Sequence, residues 1–179
     1  MILAAVAVLS LFAIAECNEY GPLCAGKRFM VYTDHVFWKD AKASCESKGG
    51  ELAKITDRET DEMIKNYIQE TGIIDEIKTG LWIGLTDWRT EDTFKWGDGE
   101  KLLDCGSYSN WSPGEPNNNV KKNEDGQDCV QLWKRRNLMW DDEYCEYRKK
   151  GYVCMFYECG PECLRCAGIE ETTSAPTLE

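Results

Sequence analysis

Cysteine content constrains this chain more than any other feature of its sequence. Ten of its 179 residues are cysteines, and all ten follow an apolar stretch, residues 2–15, that ends in Ala13-Ile14-Ala15. A short apolar run closed by a small-x-small site is typical of a cleaved signal peptide, and it is too short to span a bilayer. We therefore predict a signal peptide over residues 1–15 and a secreted, extracellular mature chain that begins at Glu16.

The cysteines of a chain that enters an oxidising compartment are expected to form a disulfide framework. A structural zinc site is the competing interpretation, because Cys159, Cys163 and Cys166 have finger-like spacing. Such a site needs four ligands, and His35 is the only histidine of the chain, so disulfides are favoured. Spacing alone does not decide which cysteines pair.

Charge and length exclude several classes of function. The chain has 32 acidic against 21 basic side chains, a net charge of −11. It offers no sustained basic surface to neutralise phosphates, so we expect no nucleic-acid and no membrane partner, and cations are the favoured small ligands. The length fits one domain. We assign residues 16–26 to an N-terminal cysteine-containing segment, 27–157 to the domain, and 158–179 to a cysteine-containing, partly disordered tail.

The periodicity of apolar residues predicts an α+β domain. Helical spacing over residues 37–45 ends at Gly49-Gly50, and Thr56-Asp57-Arg58-Glu59 has the form of a capping box. The second helix would extend to about Gly72, with an apolar face of Met63, Ile64, Tyr67 and Ile68. Residues 27–32, 81–85, 129–133 and 151–156 predict strands, and the last two of these flank a predicted turn at Trp140-Asp141-Asp142.

A long loop without a regular period extends from Asp87 to Gln127. Such a loop is unusual in a compact domain unless a function or a metal ion holds it. Composition alone favours a solvated acidic loop. The loop and the strands after it nevertheless carry hard oxygen ligands of the kind that calcium prefers: Asp87, Glu91, Asp98, Asp104, Glu115, Asn117, Asn118, Gln127, Asp128, Asp141 and Asp142.

Five short sequence elements follow one another along the domain: Leu81-Trp82-Ile83-Gly84-Leu85, Phe94-Lys95-Trp96-Gly97-Asp98-Gly99, Asn110-Trp111-Ser112-Pro113-Gly114-Glu115-Pro116-Asn117, Asp128-Cys129-Val130 and Trp140-Asp141-Asp142. They are similar to the WIGL, F-x-W-x-D-G, NW-x-x-x-EPN, EDCV and WND motifs of the C-type lectin family. From about Lys27 to Phe156 the chain resembles an EPN-containing, mannose-binding-type carbohydrate-recognition domain. The resemblance implies two helices on small antiparallel sheets, a long calcium-stabilised loop, and the disulfides Cys45–Cys154 and Cys129–Cys145.

The resemblance also implies the calcium ligands. The positions that hold calcium and sugar in sugar-binding members correspond here to Glu115, Asn117, Gln127, Asp141 and Asp142. Gln127 replaces a usual Glu and Asp141 a usual Asn, so the number of carboxylates is unchanged and calcium binding is expected to survive. The loop between Glu115 and Cys129 is about four residues longer than in mannose-binding proteins, and this inserted segment, residues 120–123, leaves Glu124 or Asp125 as alternatives to Gln127. A second calcium site would comprise Asp87, Glu91, Asn118 and Asp128.

The implied function is calcium-dependent binding of glycans. Glu115-Pro116-Asn117 favours mannose, fucose or N-acetylglucosamine, whereas the exchange of amide and carboxylate at Gln127 and Asp141 leaves galactose as an alternative. Glycoside hydrolysis by Glu115 and Asp142 is disfavoured because a general acid needs a proton near neutral pH, so we expect no enzyme. A lectin-like domain that binds mineral, ice or protein is the other alternative. The unassigned cysteines leave a disulfide-linked or non-covalent homo-oligomer open, and innate immunity is one of several roles that fit.

Overall fold

A mixed β-sheet is the framework of the computed structural model, which describes residues 26–99 and 107–158. Residues Lys27–Tyr157 form one compact unit. The predicted signal peptide, nearly all of the N-terminal segment and nearly all of the tail lie outside the described residues. So do six cysteines: Cys17, Cys24, Cys105, Cys159, Cys163 and Cys166.

The described residues form six strands and three α-helices. In order they are β1 (Gly26–Val36), α1 (Trp38–Ser47), β2 (Glu51–Leu52), α2 (Arg58–Glu70), α3 (Ile73–Glu76), β3 (Gly80–Thr86), β4 (Cys129–Trp133), β5 (Met139–Glu143) and β6 (Lys150–Glu158). The sheet order is β1-β6-β3-β4-β5, with β2 also paired to β6. This confirms the α+β class. The β3–β6 pair is parallel and joins the antiparallel pairs into one sheet.

Strand β3 lies at the centre of the core because it is apolar on both faces. Leu81, Ile83 and Leu85 are fully buried and belong to the larger hydrophobic cluster, together with Ile64 and Ile68 of α2. Trp82 points to the other face, where its indole N–H donates to the Val36 carbonyl at 3.0 Å. Burying apolar side chains from both faces of one strand removes a large area from water and stabilises the sheet.

Helix α2 begins one residue later than the predicted capping box, and of its predicted apolar face only Ile64 and Ile68 are buried. Asp57 is the N-cap, and its carboxylate accepts from the Thr60 N–H at 2.7 Å. Met63 and Tyr67 are about half exposed, at 48% and 46%, whereas Asp61 is 2% exposed. Asp61 is buried because its Oδ2 atom meets Lys65 Nζ at 2.6 Å and accepts from Tyr108 and Asn110, both at 2.9 Å.

Asp57→Ala is expected to lower the free energy of unfolding by about 1 kcal/mol, because it removes the side-chain acceptor of an N-terminal helix N–H. Thr56→Ala is the matched control, since the Thr56 hydroxyl contacts only the neighbouring Asp57 carboxylate, at 3.3 Å, and caps no helix N–H. Urea unfolding of both variants measures the difference. An equal loss in the two variants would contradict Asp57 as the cap.

The Trp140-Asp141-Asp142 segment is a strand, so its prediction as a turn was wrong. The turn lies earlier, at Asn137 and Leu138, whose φ angles are 53° and 58°. From Met139 the chain pairs antiparallel with β4, which sets Asp141 opposite Gln131. Trp140 is fully buried in the core, and its burial favours the strand over the turn that two adjacent aspartates suggest.

Both disulfides implied by the resemblance are present. Cys45–Cys154 joins α1 to β6, and Cys129–Cys145 joins the start of β4 to the segment after β5. Cys45, Cys129 and Cys154 are buried in a second hydrophobic cluster with Trp38 and Trp82. Within the described residues, no helix has both the length and the apolar character that a bilayer crossing requires.

Candidate metal centre

Three carboxylates converge where the long loop meets β5. Each of Glu115, Asp141 and Asp142 offers one oxygen, and these oxygens lie within 4.8 Å of one another. Across residues 26–99 and 107–158, this is the only such group of three acidic, cysteine or histidine side chains. Asp141 and Asp142 come from β5, and Glu115 comes from the loop immediately before a cis Pro116.

Asp142 anchors the loop to the strand. It is fully buried, and its carboxylate accepts from the Asn117 N–H at 3.0 and 3.1 Å and from the Asn118 N–H at 2.7 Å. Asn118 has a φ of 40°, a left-handed backbone conformation directly after these two N–H groups. Asparagine tolerates this left-handed conformation better than most residues. The loop is therefore held by the same side chain that offers oxygen to the centre.

Asp141 and Glu115 complete the group. Asp141 is 7% exposed and accepts from Gln131 Nε2 at 2.5 Å, across the β4–β5 pair. Glu115 is half-buried and accepts from the side-chain amide of Asn117. Four of the five predicted ligands thus lie together: oxygens of Glu115, Asp141 and Asp142 are within 4.8 Å of one another, and Asn117 is hydrogen-bonded to two of these residues.

Gln127, the fifth predicted ligand, is engaged elsewhere. Its Oε1 atom accepts from the Asn119 N–H at 3.0 Å, and its Nε2 atom donates to Glu143 at 3.4 Å. Its backbone N–H donates to the Asn118 side chain at 2.8 Å. These hydrogen bonds connect the two ends of the inserted segment, so in this structure Gln127 stabilises the loop.

Two supporting residues were missed by the sequence reasoning. Gln131 positions Asp141, and Lys150, which is fully buried, lies 3.2 Å from Glu143 Oε2 and 3.4 Å from the Thr79 hydroxyl. Burial lowers the pKa of Lys150, while Glu143 opposes that shift. Only the register of β4 with β5 places Gln131 beside Asp141, and that register is lost when residues 140–142 are taken as a turn.

The electrostatics of the three carboxylates favour a cation. Burial, a hydrogen bond to Asp142 and the charge of Asp141 together raise the pKa of Glu115 to about 8. Burial also raises the pKa of Asp141 to about 6, although the bond from Gln131 opposes the shift. The charged form of each carboxylate is unfavourable because the neighbouring carboxylates carry the same sign of charge and because little water reaches them. An all-oxygen, carboxylate-rich set of this kind fits calcium.

A second acidic group surrounds Asp87, which is 3% exposed. Its Oδ2 atom accepts from the Asp92 N–H at 3.1 Å, but its Oδ1 atom is buried without a hydrogen-bond partner among the residues that the structure describes. Burial, then Glu91 and Asp128, raise the pKa of Asp87 to about 7. A buried oxygen without a partner fits a cation at this place. The side-chain oxygen of Asn118, the remaining predicted ligand, accepts from Gln127 instead.

Comparison with known proteins identifies the domain. Residues 35–156 match the family model of the lectin C-type domain. A perlucin-like protein of Mytilus galloprovincialis is 33% identical over 117 residues, which cover 65% of this chain and 68% of that protein. The low affinity immunoglobulin epsilon Fc receptor of Mus musculus is 32% identical over 117 residues, 65% of this chain, but the match spans only 30% of the receptor. The solved C-type carbohydrate-recognition domain of cow CD23, in the presence of a GlcNAc2Man3 oligosaccharide, is 28% identical with a TM-score of 0.61, covering 81% of this chain and 98% of that one.

Proposed function

Because the chain belongs to the C-type lectin domain family, a family of non-enzymatic carbohydrate recognition, we propose that it is a secreted, calcium-dependent glycan-binding protein. The observation that carries the proposal is the convergence of Glu115, Asp141 and Asp142 within 4.8 Å beside the EPN tripeptide. These carboxylates and the Asn117 amide oxygen would hold calcium. The bound ion would offer open coordination positions to two neighbouring hydroxyls of a sugar, and the ligand side chains would donate and accept hydrogen bonds at those hydroxyls.

Gln127 belongs to the proposed set as a conditional ligand. Its side chain is held by the Asn119 N–H and by Glu143, so it would have to turn from these partners to join the three carboxylates. Asp87, Glu91 and Asp128 are proposed to hold a second calcium, and the partnerless Oδ1 atom of Asp87 supports that assignment. Asn118 would join this second site only if its oxygen were released from the Gln127 N–H.

The donor and acceptor pattern supports mannose-type specificity. Asn117 donates its side-chain amide to Glu115, which is the unexchanged amide–carboxylate pair of the EPN tripeptide. The exchanged pair that would favour galactose requires Gln127 beside Asp141, but the amide that meets Asp141 comes from Gln131. Mannose, fucose and N-acetylglucosamine are therefore the proposed ligands, and galactose is the competing outcome of the test.

The test is retention of the refolded protein on mannose and galactose resins with calcium, followed by elution with a chelator. Retention on mannose that the chelator reverses is expected for the parent and for Glu70→Gln, an exposed charge variant on α2. Glu115→Gln is expected to pass through the column. Stronger retention on galactose would overturn the mannose assignment, and retention that persists in chelator would overturn the calcium assignment.

Acidification is expected to release the sugar because protons compete with calcium. In the calcium-free protein the pKa values of Glu115 and Asp141 are about 8 and about 6, so the site gains protons as pH falls from 8 to 5. Raised carboxyl pKa values also mean that the calcium-free fold loses stability as pH rises through this window. Calcium should therefore raise the melting temperature more at pH 8 than at pH 5. Thermal unfolding with and without calcium measures this, and an equal shift at both pH values would contradict it.

A further inference from the structure

A cavity of about 570 Å³ lies on the domain away from the three carboxylates of the metal centre. It is lined by three tryptophans and three basic residues: Trp38, Trp88, Trp96, Lys42, Arg89 and Lys95. This positive lining stands out in a chain whose net charge is −11. Cavities of this size accept ligands of one to a few rings.

Two of the three tryptophans are buried and held in place by their contacts, and the third is exposed. Trp38 and Trp96 are 5% and 3% exposed. The indole N–H of Trp38 donates to the Ile83 carbonyl at 2.9 Å, and Trp96 packs edge-on against Trp140 at 5.9 Å between ring centroids. Trp88 is 46% exposed and stands at the rim. An exposed indole at the rim of a cavity suits a ligand with a flat, partly apolar face.

The basic side chains leave a net positive charge in the cavity. Arg89 and Lys95 have no ion-pair partner among the residues that the structure describes, whereas Lys42 pairs with Glu46. The lining carboxylate of Asp98 is neutralised by Lys54 Nζ at 2.6 Å. Lys39, 4.2 Å from the ring centroid of Trp88, pairs with Glu146 at 3.5 Å and adds no net charge, so the positive charge comes from Arg89 and Lys95.

We propose that this cavity is a second, calcium-independent site for a sulfated saccharide. A sugar ring would pack against Trp88, and its sulfate would pair with Arg89 and Lys95. Guanidinium and ammonium groups without a carboxylate partner bind such oxyanions through charge-assisted hydrogen bonds. The site shares none of Glu115, Asp141 and Asp142, so it goes beyond the proposed calcium-dependent function and does not depend on it.

The test titrates the full chain in excess chelator with a sulfated heparin disaccharide, its desulfated counterpart and inorganic sulfate, by calorimetry or tryptophan fluorescence. The parent should bind only the sulfated disaccharide. Arg89→Gln with Lys95→Gln should weaken binding at least about tenfold. Lys78→Gln with Arg135→Gln, two exposed cations outside the cavity, should change it less than about twofold, because distant surface charges are screened.

Several results would overturn the proposal. Equal losses in the two double variants would mean that general charge attracts the probe. Equal affinity for inorganic sulfate would mean an adventitious ion only, and equal affinity for the desulfated disaccharide would remove the role of the cations. No binding in chelator, followed by binding once calcium replaces the chelator, would place the probe at the metal centre. Thermal unfolding of each variant verifies its fold, and the single change Arg89→Gln repeats the test if the double variant is unstable.

Discussion

Asp142→Asn is expected to abolish calcium binding at millimolar calcium and to destabilise the calcium-free protein. The change removes one of three negatively charged ligands. The new side-chain amide can also direct its NH2 group at the backbone N–H groups of Asn117 and Asn118, which donate to the carboxylate in the parent. Extracellular calcium modules bind at about 10⁻⁴ to 10⁻³ M, so a loss of roughly a hundredfold moves the dissociation constant above millimolar. Losing the charged acceptor should lower the free energy of unfolding by about 2 to 3 kcal/mol.

Glu115→Gln separates the two effects. Glu115 is half-buried, and its raised pKa of about 8 shows that its charge is unfavourable without a cation. The amide should abolish calcium binding but leave the calcium-free protein as stable at pH 8 as the parent, or more stable. Calorimetric calcium titration and thermal unfolding with and without calcium measure both quantities, with Glu70→Gln as the control. A normal calcium-induced rise in melting temperature for Asp142→Asn would remove Asp142 from the ligand set.

The residues of the candidate site could be predicted because they belong to short motifs with fixed spacing. Glu115, Asn117, Asp141 and Asp142 are named by two motifs separated by more than twenty residues, and the structure brings them together. The long loop supports this arrangement, since an irregular segment needs buried acceptors such as Asp142 for its backbone N–H groups. Motif spacing gives no information on hydrogen bonds, so the stabilisation of the loop by Gln127 could not be predicted.

The errors arise where long-range partners override local preference. Asp61 should lie on the polar face of α2, but Tyr108 and Asn110 of the loop and Lys65 of the helix all contact its Oδ2 atom and allow its burial. Lys150 and Glu143 likewise neutralise each other, which lowers the cost of burying both. These partners are separated in sequence, or lie on strands whose register depends on the whole sheet, so periodicity gives no sign of them.

Replacing both Cys45 and Cys154 by alanine is expected to lower the free energy of unfolding by about 5 kcal/mol. The bond closes a sequence separation of 109 residues, and cross-linking so long a loop removes much of the entropy of the unfolded chain. A small domain has about 5 to 15 kcal/mol of stability in total, so the loss removes about a third of it or more, and this variant should melt well below the parent. Circular dichroism and proteolysis measure the folded fraction, and a melting temperature within a few degrees of the parent would contradict the expectation.

The matched control is the double replacement of Cys129 and Cys145, whose bond closes a separation of 16 residues. The same entropy argument gives a smaller loss of about 3 kcal/mol. Its loss of calcium affinity should be larger in relation to its loss of stability, because Cys129 follows Asp128 directly and Cys145 lies shortly after Asp141 and Asp142. Loosening that end of β5 disorders the ligands before the core unfolds. We therefore expect this variant to stay folded but to bind calcium more weakly, whereas the Cys45 and Cys154 variant should lose calcium binding only in proportion to its unfolded fraction.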